Sequence, residues 1–434
     1  MDLDVLKERL AATPALRPVG RVLAVTGLTL RVALPGARLG DLVVVRRRGE
    51  PVLVELVGFD PSGAIGVALG ELVGVGPDDA VEATGERLTV GVGDALLGRV
   101  LDGLGRPMDG RELPDDLRRV PVTAAPPNAL TRPLIAASLA TGVRAIDGLM
   151  TLGVGQRVGL FAGSGVGKSM LLGSIARGTS ADVVVVALVG ERGREVVEFL
   201  EHAMGEVGRR RAVVVVATSD APALERLRAA EVATAIAESY RDEGKNVLLL
   251  VDSVTRVARA QREVGLAAGE PPARRGYPPS VFSLLPRLLE RAGPNRVGSI
   301  SAVYTVLVEG EDMDEPIADE VRGILDGHIV LSRAVATRSH FPAIDVVHSL
   351  SRVMPNVVGP AQMQQAMAVR RSIATFEEKR DLIVLGAYKK GSDRSVDQAI
   401  LARPEVERFL QQPAEESVTM EETLGWLDSL AERC

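Results

Sequence analysis

Cysteine is almost missing from this 434-residue chain: the one thiol is Cys434, the last residue. An intrachain disulfide and a cysteine-based metal cluster are therefore excluded. Histidine is scarce as well, and His202, His328, His340 and His348 show no metal-ligand spacing, so they read as structural. Aromatic residues make up 3% of the chain, which leaves few platforms for stacking bases. A net charge of −6 and a pI near 5.6 speak against a chain built around nucleic-acid phosphates, which needs a basic face. The triplet RRR occurs at 46–48 and 209–211, each time beside strand and turn signals where solvated charge is the plain explanation. No apolar run approaches the roughly 18 residues of a membrane span. The longest, VVVVALVG at 183–190, is β-branched and bounded by charge, and reads as a buried strand. The opening MDLDVLKERLAATPAL intersperses acids and bases, so a secretory leader is not expected and the chain is expected in the cytoplasm.

What is present is a folding composition, with 46% hydrophobic and 25% charged residues and a mean hydropathy of +0.16. The length predicts two or three domains. From 19 to about 85, short apolar stretches (GRVLAV, LTLRVAL, DLVVVRRR, PVLVELVGF, AIGVAL) alternate with Gly, Pro and Asp, which predicts a small closed antiparallel barrel. The Gly- and Pro-rich run LGRVLDGLGRPMDGRELPDD that follows, continued by VPVTAAPPNALTRP, reads as an extended connection. Between about 150 and 350 the near-continuous apolar runs QRVGLFA, DVVVVALVG, RAVVVVAT, NVLLLVD and SISAVYTVL alternate with helical stretches, the pattern of a doubly wound α/β sheet covered on both faces. Beyond 360 the spacing is helical, with breaks expected at Gly391, Pro404 and Pro413. The domains are thus 1–90, a helix and barrel; 91–360, an α/β domain; and 361–434, a helical domain. No period of 20 to 50 residues suggests a solenoid.

Ligands of doubly wound sheets bind beyond the carboxyl ends of the strands. There AGSGVGKSM (162–170) joins QRVGLF to LLGSIARG. Gly163, Gly165 and Gly167 let backbone N–H groups converge on phosphate oxygens, with Ser164 and Val166 between them. The following helix adds its positive end, Lys168 reaches the β- and γ-phosphates, and Ser169 is placed to ligate Mg²⁺. Ala162 stands where the literal motif has Gly, and a small residue fits. NVLLLVDS delivers Asp252 to a strand end, where a Walker-B acid serves the hydration shell of the magnesium. VVVVALVGERGREVVEF delivers Glu191 to the same edge. A carboxylate there can orient or deprotonate water, Arg192 can meet developing phosphoryl charge, and Glu195 can support the waters of the metal.

The stretches GERGRE, PALERLRAAEVATAIAESYRDEGKNVLLLVDSVTRVARAQREVGLAAGEPPARRGYPPSVFSLLPRLLERAG, TVLVEGEDMDEPIADEVRGILDGHIVLSR and GAYKKGSDRSVDQAI resemble the type III protein-export ATPases, relatives of the catalytic subunit of rotary F-type ATP synthases. The likeness covers nearly the whole chain. It implies a RecA-like P-loop NTPase core with a parallel sheet, an N-terminal β-barrel and a C-terminal helical domain. It further implies a homohexameric ring at the cytoplasmic face of a secretion apparatus, hydrolysing ATP with Mg²⁺ to release chaperones and to unfold and export protein substrates. Partners implied are stator and central stalk proteins, chaperone-substrate complexes, the export gate indirectly and a peripheral membrane contact, with no nucleic acid. ATP would lie between subunits, with Arg352 of HSLSRVM at the position of the arginine finger that reaches the neighbour's γ-phosphate. Phe341 of SHFPAID stands where an aromatic packs on adenine; Tyr is common there, and Phe stacks as well without the hydroxyl. The acidic EGEDMDEP (309–316) would line the central pore, against the simpler reading of a solvated loop. The amphipathic start with Leu3, Leu6 and Leu10 would dock a stator or lie on the membrane, against a frayed tail.

Three functions stay open on these residues. The injectisome and flagellar branches share the motifs, and GEPPARRGYPPSVFS favours the injectisome. A non-catalytic nucleotide-binding ring subunit would keep the P-loop and lack the acid at Glu191. An RNA translocase with a related core would want an aromatic-rich barrel, whereas 19–85 holds one aromatic, Phe59.

Overall fold

Six short strands close the N-terminal barrel of the computed structural model, which describes residues 18–308, 310 and 312–434. The amphipathic start with Leu3, Leu6 and Leu10, and two glutamates of the acidic stretch, 309 and 311, lie outside the described residues. The barrel strands are β1 (Val19–Thr26), β2 (Thr29–Ala33), β3 (Leu42–Arg46), β4 (Val52–Asp60), β5 (Gly63–Ala68) and β6 (Ala80–Ala83), in the order β1-β2-β5-β4-β3-β6 with β6 pairing back onto β1. Alternate side chains fill the inside: Val22, Leu30, Val32, Val43, Val45, Val54, Leu56 and Val81 are buried together. The interior leaves no room at Gly66, where a Cβ would stand 2.5 Å from Val54 Cγ1. Strand β6 is the member that the spacing of apolar residues does not announce, since AVEA is four residues long with a charge in it.

The remainder of the chain builds around an eight-strand path. Its strands are β7 (Val100–Asp102), β8 (Arg157–Ala162), β9 (Val183–Glu191), β10 (Ala212–Thr218), β11 (Asn246–Asp252), β12 (Ser299–Leu307), β13 (Gly327–Leu331) and β14 (Leu350–Ser351). They are ordered β14-β13-β8-β12-β11-β9-β10-β7. All neighbours are parallel except β14, which runs against β13. Every residue of β9 is buried, as a strand covered on both faces requires. The five apolar runs singled out in the sequence are five of these strands. The run read as an extended connection holds strands as well: Val100–Asp102 pairs in parallel with β10 and extends the sheet, and Arg118–Pro121 pairs with Thr89–Val92 in a two-stranded sheet. At Val100–Asp102, three residues with a buried centre are too short to show a period.

The helices that matter for the site are α1 (Lys168–Gly178), α2 (Gly193–Glu198), α3 (Ala223–Asp242) and α4 (Val254–Ala267). At the C-terminus stand α5 (Pro360–Val384), α6 (Arg394–Leu410) and α7 (Met420–Ala431). Val158 and Leu160 of β8, Leu172 and Ile175 of α1, Val369 of α5, Phe409 of α6 and Leu427 of α7 belong to one apolar core, so the C-terminal helices pack with the sheet. Pro404 does not break the chain as expected; it sits inside α6. An internal proline costs a helix about 3 kcal/mol, and the buried row Ala402, Val406, Phe409 and Leu410 offsets that by removing apolar surface from water.

Candidate active site

The strand order decides which side chains can meet. Strands β8, β12, β11 and β9 are consecutive neighbours, so Ala162, Leu307, Asp252 and Glu191 end side by side at one carboxyl edge. The tips of β8 and β9 lie three strand spacings apart, about 14 Å, and a long side chain must bridge them. Lys168 does. It opens α1, and its Nζ lies 3.5 Å from Glu191 Oε1 and pairs with Asp252 Oδ1. Asp252, 2% exposed, also accepts the Thr305 hydroxyl at 2.7 Å.

Between β8 and α1 the loop turns through Gly165 (φ 78°) and Gly167 (φ 87°), backbone that L side chains rarely adopt. Gly167 is the N-cap of α1, and no side chain caps that end, so the first-turn amides remain available to an anion. Gly163 and Lys168 are partly buried and Val166 is buried, while Ser164 and Ser169 are exposed on the same turn. The helix can lie close because residue 173 is Gly: a Cβ there would stand 2.3 Å from the Ala203 carbonyl oxygen.

Glu191 is aimed by a bulge. The pairing of β9 with β10 shifts register between Val189 and Glu191, and Gly190 adopts φ 68°. A Cβ on Gly190 would meet Arg256 Cδ at 2.8 Å. That close approach lets Arg256 donate to the Gly190 carbonyl and reach Glu191 Oε2 at 3.1 Å. Burial raises the Glu191 pKa to about 7, helped by a hydrogen bond with Glu195 and by the charge of Asp252, against Lys168 and Arg256. Glu195 is lowered, chiefly by that same hydrogen bond. The contact between the two carboxyls thus works to raise Glu191 and lower Glu195. Arg192 faces outward, its side chain 78% exposed and 3.6 Å from Glu195.

Next to the loop lies a cavity of about 410 Å³ bounded by Met170 and Leu171 of α1, by Phe341 and Pro342, and by Pro413 and Ala414. Phe341 is 46% exposed, and its ring approaches the loop so closely that a Cβ on Gly167 would stand 3.4 Å away. The far wall is pinned by Gln412, whose N–H donates to the Phe341 carbonyl at 3.0 Å. Its Nε2 donates to the carbonyls of Gly142 (2.7 Å) and Glu416 (2.9 Å), and its Oε1 accepts the Arg144 N–H at 2.9 Å. Ser174 Oγ donates to the Ala414 carbonyl at 2.8 Å, which fastens that wall to α1.

Arg352 is not in this cluster. It follows β14, and its N–H donates to the Asp326 carbonyl at 3.0 Å. Asp326 precedes β13, so Arg352 stands at the opposite edge of the sheet from the glycine loop. The remaining residues singled out for the site, Gly163 to Ser169, Glu191, Asp252 and Phe341, come together, with Glu195 against Glu191. Sequence reasoning did not pick out Arg256, Thr305 or the 412–415 wall. For Arg256 a signal existed: an arginine four residues after a strand-end acid falls on the first turn of the next helix, facing back to the strand tips.

Residues 142–351 match the profile of the ATP synthase alpha/beta family, nucleotide-binding domain, and residues 358–429 match that of the T3SS EscN ATPase C-terminal domain. The chain is 51% identical to the Type 3 secretion system ATPase of Xanthomonas euvesicatoria, covering 99% of this chain and 98% of that one. The chain belongs to the family of type III protein-export ATPases. The Flagellum-specific ATP synthase of Bacillus subtilis (strain 168) stands equally near, at 50% identity over 99% of both chains. Among solved structures, the assembled ATPase EscN from the type III secretion system of enteropathogenic E. coli matches with a TM-score of 0.90 and 47% identity, over 95% of this chain and all of that one. The same ATPase in complex with its central stalk EscO matches at 0.88 and 47% identity, again over 95% of this chain and all of that one. As a member of this family the chain is a nucleotide-binding ATPase. No helix among its described residues is long and apolar enough to cross a membrane.

Proposed function

We propose that this ATPase works as a homohexameric ring whose hydrolysis of ATP energises type III protein export. The observation that carries the reading is the meeting of Lys168 and Glu191, 3.5 Å apart, at strand tips that the sheet order makes neighbours of Asp252. The amides of 163–167 and Lys168 hold the triphosphate, Lys168 exchanging its carboxylate partners for phosphate oxygens, and the adenine lies in the cavity against Phe341. Glu191 takes the proton of the attacking water, for which a pKa near 7 is well matched. Arg192, and Arg352 from the neighbouring copy, meet charge on the transferred phosphoryl group.

Mg²⁺ fits the donor set, since the groups at this edge are oxygen ligands: the Ser169 hydroxyl directly, with Asp252 and Glu195 toward its waters. Bound there, it would neutralise charge on the β- and γ-phosphate oxygens. The three-part division at 90 and 360 belongs to this proposal, with 1–90 forming the ring and 361–434 meeting partners. So do a cytoplasmic place at the inner membrane face and contacts with stator, central stalk and chaperone-substrate complexes. The solved relatives support the ring and the stalk: one is the assembled ATPase EscN and the other is that ATPase in complex with its central stalk EscO.

Phosphate release by the purified chain tests the enzyme, with Lys168→Ala and Glu191→Gln beside it. Both variants are expected to lose at least about a hundredfold in kcat; equal rates in all three would end the claim. Within export we place the chain in the injectisome, and a pull-down from cells that returned flagellar components instead would move it to the other branch.

A further inference from the structure

We propose that Asp326 is a positioning residue for Arg352 and that Arg157 locks it in place, so that the strand ending in the glycine loop also holds, at its start, the arginine offered to the next copy. The inference rests on the reading of Arg352 as acting on a neighbour's phosphate.

Arg352 is exposed. Among the described residues its guanidinium makes one long hydrogen bond, Nη1 to the Leu325 carbonyl at 3.4 Å. A long cationic side chain held so loosely spends most of its time in unproductive rotamers, so its aim depends on how firmly its backbone is fixed. That backbone hangs on residue 326. The Asp326 carbonyl accepts the Arg352 N–H at 3.0 Å and Gln156 Nε2 at 3.1 Å. Gln156 Nε2 also reaches Ser351 Oγ at 3.1 Å, one residue before Arg352.

Asp326 is itself held on three sides by Arg157, the first residue of β8. The Arg157 N–H and Nε each donate to Oδ2 at 3.1 Å, and Nη2 donates to Oδ1 at 3.3 Å. The Asp326 N–H returns a bond of 2.9 Å to the Arg157 carbonyl. A second carboxylate, Glu290, forms an ion pair with Arg157 Nη1 at 2.6 Å. This main-chain and side-chain ring joins two segments that lead to functional ends. One is β8, which leads without a break to Gly163. The other is β14, which Arg352 directly follows. The geometry gives Asp326 a part in the neighbour's reaction while it serves no group of its own cluster at the carboxyl edge.

The test uses mixed rings of the full chain. Asp326→Asn keeps an acceptor and loses the charge; alone, it is expected to lower kcat about tenfold while KM for ATP and the binding of a fluorescent ATP analogue stay within about twofold. Mixed in equal amounts with Lys168→Ala, whose arginine is intact, it is expected to regain activity at least about fivefold above the sum of the two alone, as Arg352→Ala does in the same mixture. If Arg352→Ala is rescued and Asp326→Asn is not, Asp326 serves its own chain and the proposal fails. If Arg352→Ala is itself not rescued, the reading of the arginine finger fails instead. An Asp326→Asn chain that keeps wild-type kcat also overturns the proposal. Should that variant melt below the assay temperature, Arg157→Lys takes its place, because it keeps the charge and loses the planar fork, and the same two outcomes apply.

Discussion

Glu191 shows how its surroundings fit one side chain for the base role proposed for it. In water its carboxyl would be ionised throughout the working range; here burial and a neighbouring acid raise it to about 7. The acid form cannot accept a proton, so kcat should fall about tenfold per pH unit below 7 and level off above it. Arg256 opposes the rise, and removing its cation lets the pKa climb further. Arg256→Gln should therefore shift the acid limb of the kcat profile to higher pH by about one unit, with the rate at pH 8.5 recovering more than the rate at pH 7. A limb that stays in place would show that Arg256 acts only as packing. At Phe341 the expectation concerns binding. Truncation to Ala removes the ring beside the glycine loop and should raise KM about tenfold with kcat within twofold, while Phe341→Tyr stays near wild type.

At the scale of elements, the glycine loop was legible because its requirements are local. A strand that must turn within five residues into a helix needs positive φ, and Gly165 and Gly167 supply it. Asp252 and Glu191 were legible because apolar runs end on them. What local sequence could not show is adjacency: Thr305 and Arg256 matter only because β12 and β11 lie between β8 and β9, an order that no short stretch encodes. The Gln412 wall was hidden for the same reason, since its partners are Gly142, Arg144 and Phe341, far apart along the chain. Gln412→Leu strands a buried carbonyl and an amide. It should destabilise the chain by about 1–3 kcal/mol and raise KM more than it lowers kcat, read from thermal melting and steady-state rates. At the last helix, Thr419 and Glu422 form a reciprocal capping box. Thr419→Ala should lower stability by about 1 kcal/mol without touching KM, which separates helix stability from the base site.

Over the whole molecule, the decisive fact is that Arg352 and the cluster at Lys168 lie on opposite edges of one sheet. Lys168, Glu191 and Asp252 gather at the carboxyl ends, and Arg352 follows the hairpin at the other end, beside Asp326. Strand β8, six residues long, separates them by about 20 Å, well beyond the reach of an arginine side chain. A single copy therefore cannot bring Arg352 to its own glycine loop, and on the proposed role of Arg352 catalysis depends on assembly. Rate per milligram should rise with protein concentration at the dilute end and become flat once rings are filled, because each added copy completes a site for its neighbour. A non-hydrolysable ATP analogue bridging two copies should shift the mass in solution upward at a fixed concentration, by linkage between binding and assembly. Arg352→Ala should still bind the analogue, since the loop and cavity are untouched, yet hydrolyse at least about a hundredfold more slowly at every concentration. Flat specific activity down to concentrations where light scattering finds only single copies would show that each chain completes its own site, and the shared arrangement would have to be given up.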